Sequence, residues 1–188
     1  MTVTLVLGGA RSGKSAHAEQ LAAQQAGGRA VLYIATARAG DAEMTARIAH
    51  HRARRPAHWI CVEEPLQLAA ALARHPGAVI LVDCLTLWLS NLIFSSSARL
   101  PDTGTIALPD LFEYERAALL DTLGRTSSDV ILVSNEVGMG IVPMGALTRC
   151  FVDEAGRLNQ AVAAIADRVV LVTAGLPLVL KGAPCWSS

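Results

Sequence analysis

A glycine-rich loop near the start of the chain is the first group of residues whose types and spacing could do chemistry. Its four fixed positions match G-x-x-x-x-G-K-[ST]: Gly8, Gly13, Lys14 and Ser15. Glycines let the backbone turn tightly and bring its N–H groups close to a polyphosphate, and a helix N-terminus adds positive partial charge. Lys14 would reach the β- and γ-phosphates, and the Ser15 hydroxyl would ligate Mg²⁺. The motif therefore predicts binding of a nucleoside triphosphate.

The flanks of this loop agree with that interpretation. An apolar run from Val3 to Leu7 predicts a buried strand before the loop, and a helical pattern starts at Ala16 after it. The alternative is an accidental glycine turn before a helix, and four matching positions with both flanks correct argue against it. Arg11, inside the loop, is placed to contact a phosphate, with a plain surface arginine as the alternative.

A second candidate, Asp83, ends the apolar run that starts at Ala78. A carboxylate at the end of a buried strand is typical of the Walker-B position, where it would hold Mg²⁺ directly or through water beside Ser15. The alternative is an N-cap for the apolar helix predicted from Leu85. The presence of the phosphate loop favours the metal role.

The segment 41–55 combines arginines with two adjacent histidines and predicts a helix that begins after Asp41. Residues three or four positions apart share a helix face, and one such stripe carries Arg47, His51, Arg54 and Arg55. Guanidinium groups gather phosphate, and their positive field disfavours imidazolium, which keeps a histidine neutral and nucleophilic. This arrangement suits attack on a phosphorus atom. The alternative is a solvated basic face with incidental histidines, and the residues alone leave both open.

Two glutamates, Glu63 and Glu136, end predicted strands at the edge of the site. Either is open to orienting a nucleotide, ordering a metal-bound water or acting as a base, and the alternative for both is a helix or turn cap. Three sulfur-containing side chains, Cys84, Met139 and Met144, are predicted to pack in the interior rather than react. The aromatic side chains of Trp59 and Trp88 are predicted to belong to the core, with a stacking platform for a ligand as the alternative.

Apolar strands that alternate with helices organise the whole chain. Strands are predicted at about 3–7, 30–35, 59–62, 78–83, 129–134, 168–173 and 176–180, and helices after Ser15 and at about 41–54, 66–75, 85–94, 110–126 and 147–166. This alternation indicates an α/β fold whose mostly parallel sheet has helices on both faces, with the last strand a hairpin partner across Ala174-Gly175. Ligands in such sheets bind at the carboxyl ends of strands. The site is therefore expected in the loops 8–15, 36–40, 63–65, 83–84 and 135–143.

Composition limits the function classes. The 188 residues predict one domain, 1–188, and 52% hydrophobic with 17% charged residues predicts a globular chain. Sixteen basic and sixteen acidic residues balance, which removes the electrostatic case for nucleic acid or an anionic membrane. No apolar run reaches the roughly 20 residues of a membrane span, and no cleavable signal is expected. The separated Cys61, Cys84, Cys150 and Cys185 are typical of reduced cysteines in a cytoplasmic protein.

Several stretches resemble one enzyme family, in order along nearly the whole chain. They are 8–15, 33–36, 43–44, 47–48, 50–52, 55–56, 135–143 and 156–160, and the most specific is Asn-Glu-Val-Gly-Met-Gly-Ile-Val-Pro at 135–143. Together they resemble the bifunctional adenosylcobinamide kinase / adenosylcobinamide-phosphate guanylyltransferase of cobalamin biosynthesis. The resemblance implies a P-loop NTPase fold of the RecA-like branch, GTP or ATP as substrate with Mg²⁺, a corrinoid substrate and a homotrimer.

The resemblance also implies roles for individual residues. The nucleophile that attacks the α-phosphorus of GTP matches His51, and His50 remains the alternative. Lys14 is implied in catalysis, and Ser15 and Asp83 in holding the metal. The implied nucleotide contacts are Gly8, Gly9, Ala10, Arg11, Ser12, Gly13, Lys14, Ser15, Ala16, Ala35, Thr36, Ala37, Arg52, Ala53, Arg54, Arg55, Glu63 and Asp83.

Two other function classes compete with this interpretation. Another small-molecule kinase on the same fold would explain the phosphate loop and Asp83 but would leave the basic histidine segment without a role. A regulatory GTPase would need a guanine-recognition loop resembling Asn/Thr-Lys-x-Asp, and Lys181 is instead followed by Gly182 and Ala183.

Overall fold

The computed structural model describes residues 1–37, 56–95 and 104–183. The described strands are β1 (Val3–Gly8), β2 (Val31–Ala35), β3 (Ile60–Glu63), β4 (Val79–Asp83), β5 (Asp129–Asn135), β6 (Arg168–Thr173) and β7 (Leu176–Lys181). The described helices are α1 (Lys14–Ala26), α2 (Leu68–Ala73), α3 (Leu85–Ile93), α4 (Asp110–Arg125) and α5 (Ala146–Ile165). The helix predicted over 41–55 lies outside the described residues.

The strands form one seven-stranded sheet in the order β3-β2-β4-β5-β1-β6-β7. Neighbouring strands from β3 to β6 are parallel, and β7 returns antiparallel beside β6. This confirms the predicted mostly parallel sheet and the closing hairpin. Parallel strands need crossover connections, and the helices that supply them cover both faces of the sheet.

Two apolar layers hold these helices on the sheet. On one face α1 buries Ala18, Leu21 and Ala22 against the sheet. On the other face α2 to α5 pack around Trp88 and Phe112, both fully buried. The prediction that Trp59 and Trp88 belong to the interior is confirmed. Packing of α1 against the sheet also fixes the position of the phosphate loop, which directly precedes this helix.

Backbone hydrogen bonds join the carboxyl ends of neighbouring strands into one edge. The Glu64 N–H donates to the carbonyl of Ala35 at 2.9 Å, and the Thr36 N–H donates to the carbonyl of Asp83 at 3.2 Å. On the other side of the sheet centre, the Glu136 N–H donates to the carbonyl of Gly8 at 3.1 Å. The loops that were expected to carry the site therefore leave the sheet side by side, as far as the structure describes them.

Candidate active site

The phosphate loop turns directly from β1 into α1. Gly13 precedes the first helical residue with φ of 95°, a left-handed conformation that favours glycine. No side chain caps the amino end of α1, so its N-cap position provides no side-chain acceptor for the first N–H groups of the helix. Unpaired N–H groups at the start of a helix and the positive end of the helix dipole both favour binding of an anion.

The turn between β6 and β7 packs against the phosphate loop. The Gly175 N–H donates to the carbonyl of Ser12 at 2.8 Å. A Cβ atom on Gly13 would stand 3.2 Å from the Cα of Gly175, and a Cβ on Gly8 would stand 2.6 Å from the carbonyl oxygen of Val172. Close packing therefore requires glycine at position 8, and at position 13 a tight contact adds to the left-handed backbone conformation that favours glycine. The sequence predicted this hairpin at Ala174-Gly175 but not its contact with the phosphate loop.

Lys14, the first residue of α1, is buried, with 9% of its surface exposed. Its Nζ donates to the carbonyl of Gly9 at 3.1 Å, which holds the amine inside the curve of the loop. Desolvation lowers the pKa of Lys14 below its usual value, and the nearby Cys84 and Asp83 act in the opposite direction. A cation held in a site of reduced solvation interacts strongly with phosphate charge.

Asp83 lies across the same layer from this lysine. It pairs in register with Ala35, and because side chains alternate along a strand, it shares the α1 face of the sheet with the buried Leu81. The hydroxyl of Tyr33 donates to Asp83 Oδ2 at 2.9 Å, which orients the carboxylate. No side chain caps α3, so the alternative role of Asp83 as its cap is not what the structure shows.

These side chains fit a magnesium ion chemically. Mg²⁺ prefers hard oxygen ligands and commonly keeps several waters beside one or two carboxylates and the phosphates of a substrate. Ser15 offers a hydroxyl and Asp83 a carboxylate on one face of the sheet. Within residues 1–37, 56–95 and 104–183, no three or more His, Cys, Asp or Glu side chains form a metal cluster.

A buried crosslink fixes β2 against β4 beside Asp83. The hydroxyl of Thr36 donates to the carbonyl of Cys84 at 2.7 Å and accepts from the Cys84 N–H at 2.8 Å. The side chain of Asn91 donates to the carbonyl of Thr36 at 2.8 Å. The hydroxyl and the carbonyl of Thr36 therefore hold the ends of the two strands together. The role of Thr36 as a nucleotide contact, implied by the resemblance, stays a prediction.

Replacing Thr36 with valine should destabilise the protein while keeping the side-chain shape. The Cys84 N–H would lose its buried acceptor, and we expect the free energy of unfolding to fall by about 1–3 kcal/mol. Urea unfolding followed by circular dichroism measures this change. Thr105, which is exposed, supplies the control Thr105→Val. Equal stability of the two variants would contradict a structural role for Thr36.

A chain of polar contacts continues from this crosslink to β5. The side-chain amide of Asn135 donates to Thr86 Oγ1 at 2.7 Å, and Thr86 Oγ1 lies 3.1 Å from Cys84 Sγ. Burial, with the charge of Asp83, raises the pKa of the Cys84 thiol, so it stays protonated and the prediction that Cys84 packs is confirmed. Sequence reasoning missed Thr86, although a polar residue within the apolar run that follows Asp83 is a usable signal.

A family profile described as "Cobinamide kinase / cobinamide phosphate guanyltransferase" matches residues 4–180. The chain belongs to this family. It is therefore an enzyme, a kinase and nucleotidyltransferase, and its fold is that of the P-loop NTPases, as the sequence predicted.

Two relatives align with this family member over nearly their full length. The chain is 55% identical to the "Bifunctional adenosylcobalamin biosynthesis protein CobP" of Pseudomonas aeruginosa over 182 residues, which cover 96% of this chain and 98% of the relative. It is 43% identical to the protein CobU of the same description from Escherichia coli strain K12 over 188 residues, 94% and 98% of the two chains.

A solved structure with little sequence similarity shares the fold. The flagellar accessory protein FlaH from Methanocaldococcus jannaschii superposes with a TM-score of 0.50 at 10% identity, covering 96% of this chain and 78% of that one. At such low identity the likeness concerns the fold alone.

In the described part of the family member, none of the helices is long and apolar enough to cross a membrane.

Most of the predicted site residues lie at one edge of the sheet. The structure places the loop Gly8–Ser15 with Ala16, the strand end 35–37, Glu63 and Asp83 at the carboxyl ends of β1, β2, β3 and β4. Arg11 is exposed and has φ of 55°. The predicted residues His51, Arg52, Ala53, Arg54 and Arg55 lie outside the described residues, so their roles stay predictions.

Of the two glutamates predicted at this edge, Glu136 has the turn-capping contact that was considered as its alternative role. Glu136 Oε1 accepts the N–H of Gly138 at 2.8 Å, which closes a turn after β5. After β3, the capping residue is Glu64, whose Oε1 accepts the N–H groups of Leu66 at 3.1 Å and Gln67 at 2.8 Å. One carboxylate oxygen of Glu136 is thus occupied by its own loop.

The prediction that Met139 and Met144 pack in the interior is wrong. Both are exposed, because the segment after Glu136 leaves the sheet edge before α5 begins at Ala146. Hydrophobic residue type alone did not distinguish a core position from an exposed loop position.

Proposed function

We propose that this family member carries out two successive reactions on adenosylcobinamide. In the first, a nucleoside triphosphate phosphorylates the aminopropanol hydroxyl. In the second, GMP is transferred from GTP, through a guanylylated histidine, to the new phosphate to give adenosylcobinamide-GDP. The observation that carries the proposal is that a desolvated lysine, Lys14, and an oriented carboxylate, Asp83, occur together at a phosphate loop. The family to which the chain belongs is described as a kinase and guanyltransferase.

The first reaction needs positioning and charge more than covalent chemistry. The N–H groups of the phosphate loop bind the β- and γ-phosphates, and Lys14 neutralises the charge that spreads over the γ-phosphoryl group. Ser15 and Asp83 would hold Mg²⁺, which supplies further charge on the phosphate oxygens when bound. The substrate hydroxyl attacks the γ-phosphorus and its proton passes to water, while the bond from the γ-phosphorus to the bridging oxygen breaks and the nucleoside diphosphate leaves.

The second reaction uses a nitrogen nucleophile. The neutral imidazole of His51 attacks the α-phosphorus of GTP, a phosphorus–nitrogen bond forms, and pyrophosphate leaves. A phosphate oxygen of adenosylcobinamide phosphate then attacks the same phosphorus, and the histidine leaves unchanged. The arginines at 52, 54 and 55 suit both steps, because guanidinium groups stabilise charge on phosphate oxygens.

Labelled GTP tests the proposal. The purified chain is incubated with Mg²⁺, adenosylcobinamide and GTP that carries its label on either the α- or the γ-phosphate. We expect γ-label in adenosylcobinamide phosphate, and α-label first on the protein in an acid-labile, base-stable form and then in adenosylcobinamide-GDP. Transfer of γ-label without any α-label on the protein would identify a plain kinase and contradict the histidine mechanism.

Assembly and location are parts of the same proposal. A homotrimer follows from the family resemblance, and light scattering of the purified chain measures it directly. A cytoplasmic location is supported by the sequence, in which Cys61, Cys84, Cys150 and Cys185 lie far apart and form no C-x-x-C motif, a pattern typical of cysteines in a reducing compartment.

A further inference from the structure

An exposed group of apolar side chains follows β5, in the stretch that the proposed reactions do not use. We call residues 138–144 the apolar loop. Four of its side chains are mostly in solvent: Met139 at 79%, Ile141 at 97%, Val142 at 72% and Met144 at 94%. Single exposed apolar residues are common, but a contiguous group of this kind marks a binding surface.

The apolar loop is held in place at both ends. At its start, the Gly138 N–H donates to Glu136 Oε1 at 2.8 Å. At its end, the guanidinium of Arg149 donates to the carbonyl of Pro143 at 3.1 Å and also to that of Met144. Arg149 lies in the first turn of α5, so a helix fixes the far end. A surface that is ordered before binding loses less conformational entropy when a ligand arrives.

The position of the apolar loop connects it to the phosphate loop. Asn135, the last residue of β5, pairs in register with Gly8, and the Glu136 N–H donates to the Gly8 carbonyl at 3.1 Å. The apolar loop therefore begins three residues beyond Asn135, the strand end that borders the first glycine of the phosphate loop. An acceptor bound there lies at the same sheet edge as the γ-phosphate, which phosphoryl transfer requires.

We propose that the apolar loop binds the corrin ring of the acceptor substrate, an inference that rests on the proposed function. Cobinamide is a large, flat macrocycle with apolar faces and a rim of amide side chains. The four exposed side chains suit one face of such a ring, and Met adapts its shape to an irregular surface. A cavity of about 260 Å³ lies beyond the end of the loop, where it is lined by Arg149, which also donates to the Met144 carbonyl, and by Asp153 and Arg157. Its mixed donors and acceptors suit the amide rim.

The other possible occupant of this surface is a second copy of the chain. A stable protein interface uses about 20–30 residues on each side, and the apolar loop offers four exposed apolar side chains. Its size is that of a small-molecule surface, and it is next to the nucleotide site. These two observations favour the corrinoid, and the experiment below separates the two occupants.

Direct binding of adenosylcobinamide to the full chain tests the assignment, with equilibrium dialysis read by the absorbance of the corrin. The variants Ile141→Ser and Met144→Ser remove exposed apolar surface without touching the described packed core. We expect each to raise the Kd for adenosylcobinamide about tenfold, which corresponds to about 1.4 kcal/mol. Leu178→Ser is the matched control, because Leu178 is an apolar side chain exposed to 60% on β7.

Two further measurements distinguish the causes of a weaker Kd. Covalent labelling by α-labelled GTP should be equal in the parent and in both loop variants, since that step needs no corrinoid. The mass by light scattering should also be unchanged. A loss of corrinoid binding that accompanies a changed mass would assign the apolar loop to contacts between copies and overturn the proposal.

The same data separate this inference from the proposed function. An unchanged Kd in both variants, with active phosphoryl transfer in the parent, overturns the loop assignment alone. A parent protein that binds the corrinoid in a loop-dependent manner but transfers no phosphoryl group overturns the proposed function and leaves the loop assignment standing. A parent that binds no corrinoid overturns both.

Discussion

Replacing Lys14 with alanine should remove nucleotide turnover, with the rate of phosphoryl transfer reduced by about a hundredfold or more. The amine lies inside the curve of the phosphate loop, bonded to the Gly9 carbonyl, in a site whose desolvation lowers its pKa. Alanine removes the positive charge at the place where negative charge develops on the transferred phosphoryl group. Steady-state transfer from γ-labelled GTP to adenosylcobinamide measures the effect.

The chain provides a matched control for this change. Lys181 is its only other lysine, and its Nζ donates to the carbonyls of Ala163 and Ala164 at the end of α5. Lys181→Ala removes the same charge far along the sheet from the phosphate loop and should retain activity. Circular dichroism shows whether Lys14→Ala keeps the fold. A folded Lys14→Ala protein with parental activity would overturn the phosphate-loop assignment.

Replacing His51 with alanine should abolish guanylylation and leave measurable kinase activity. Direct γ-phosphoryl transfer needs no covalent enzyme intermediate, whereas the proposed guanylyl transfer cannot proceed without its nucleophile. We expect covalent labelling by α-labelled GTP to fall by more than about a thousandfold. The two labels of GTP report the two activities separately in the same protein.

His50→Ala is the control, because the two adjacent histidines share similar arginine neighbours in a predicted helix. His51 has Arg47 four residues before it and Arg55 four after it, whereas His50 has Arg47 three before it and Arg54 four after it. His50→Ala should keep covalent labelling. Peptide mapping of the GMP adduct locates the nucleophile, and an adduct on His50, or on no histidine between 41 and 55, contradicts the assignment.

Fold elements were predictable where a local pattern was strong. The strand predicted at 168–173 matches β6, and the helix predicted at 147–166 matches α5 within one residue at each end. Buried parallel strands are apolar throughout, and amphipathic helices repeat their apolar residues every three to four positions, so both leave a clear local signal. The helix predicted at 66–75 is shorter in the structure, Leu68–Ala73, because Glu64 caps the turn before it.

The sequence by itself determined the phosphate-loop motif and the parallel sheet that carries it. Gly8, Gly13, Lys14 and Ser15 form a local sequence pattern, so the motif could be recognised without a structure. The tertiary structure alone decided what supports the motif. Tyr33 reaches Asp83 across 50 positions, and Thr36 reaches Cys84 across 48. Such contacts depend on strand order and register, which no local pattern specifies. For the same physical reason, only the structure placed an exposed apolar loop next to the phosphate site.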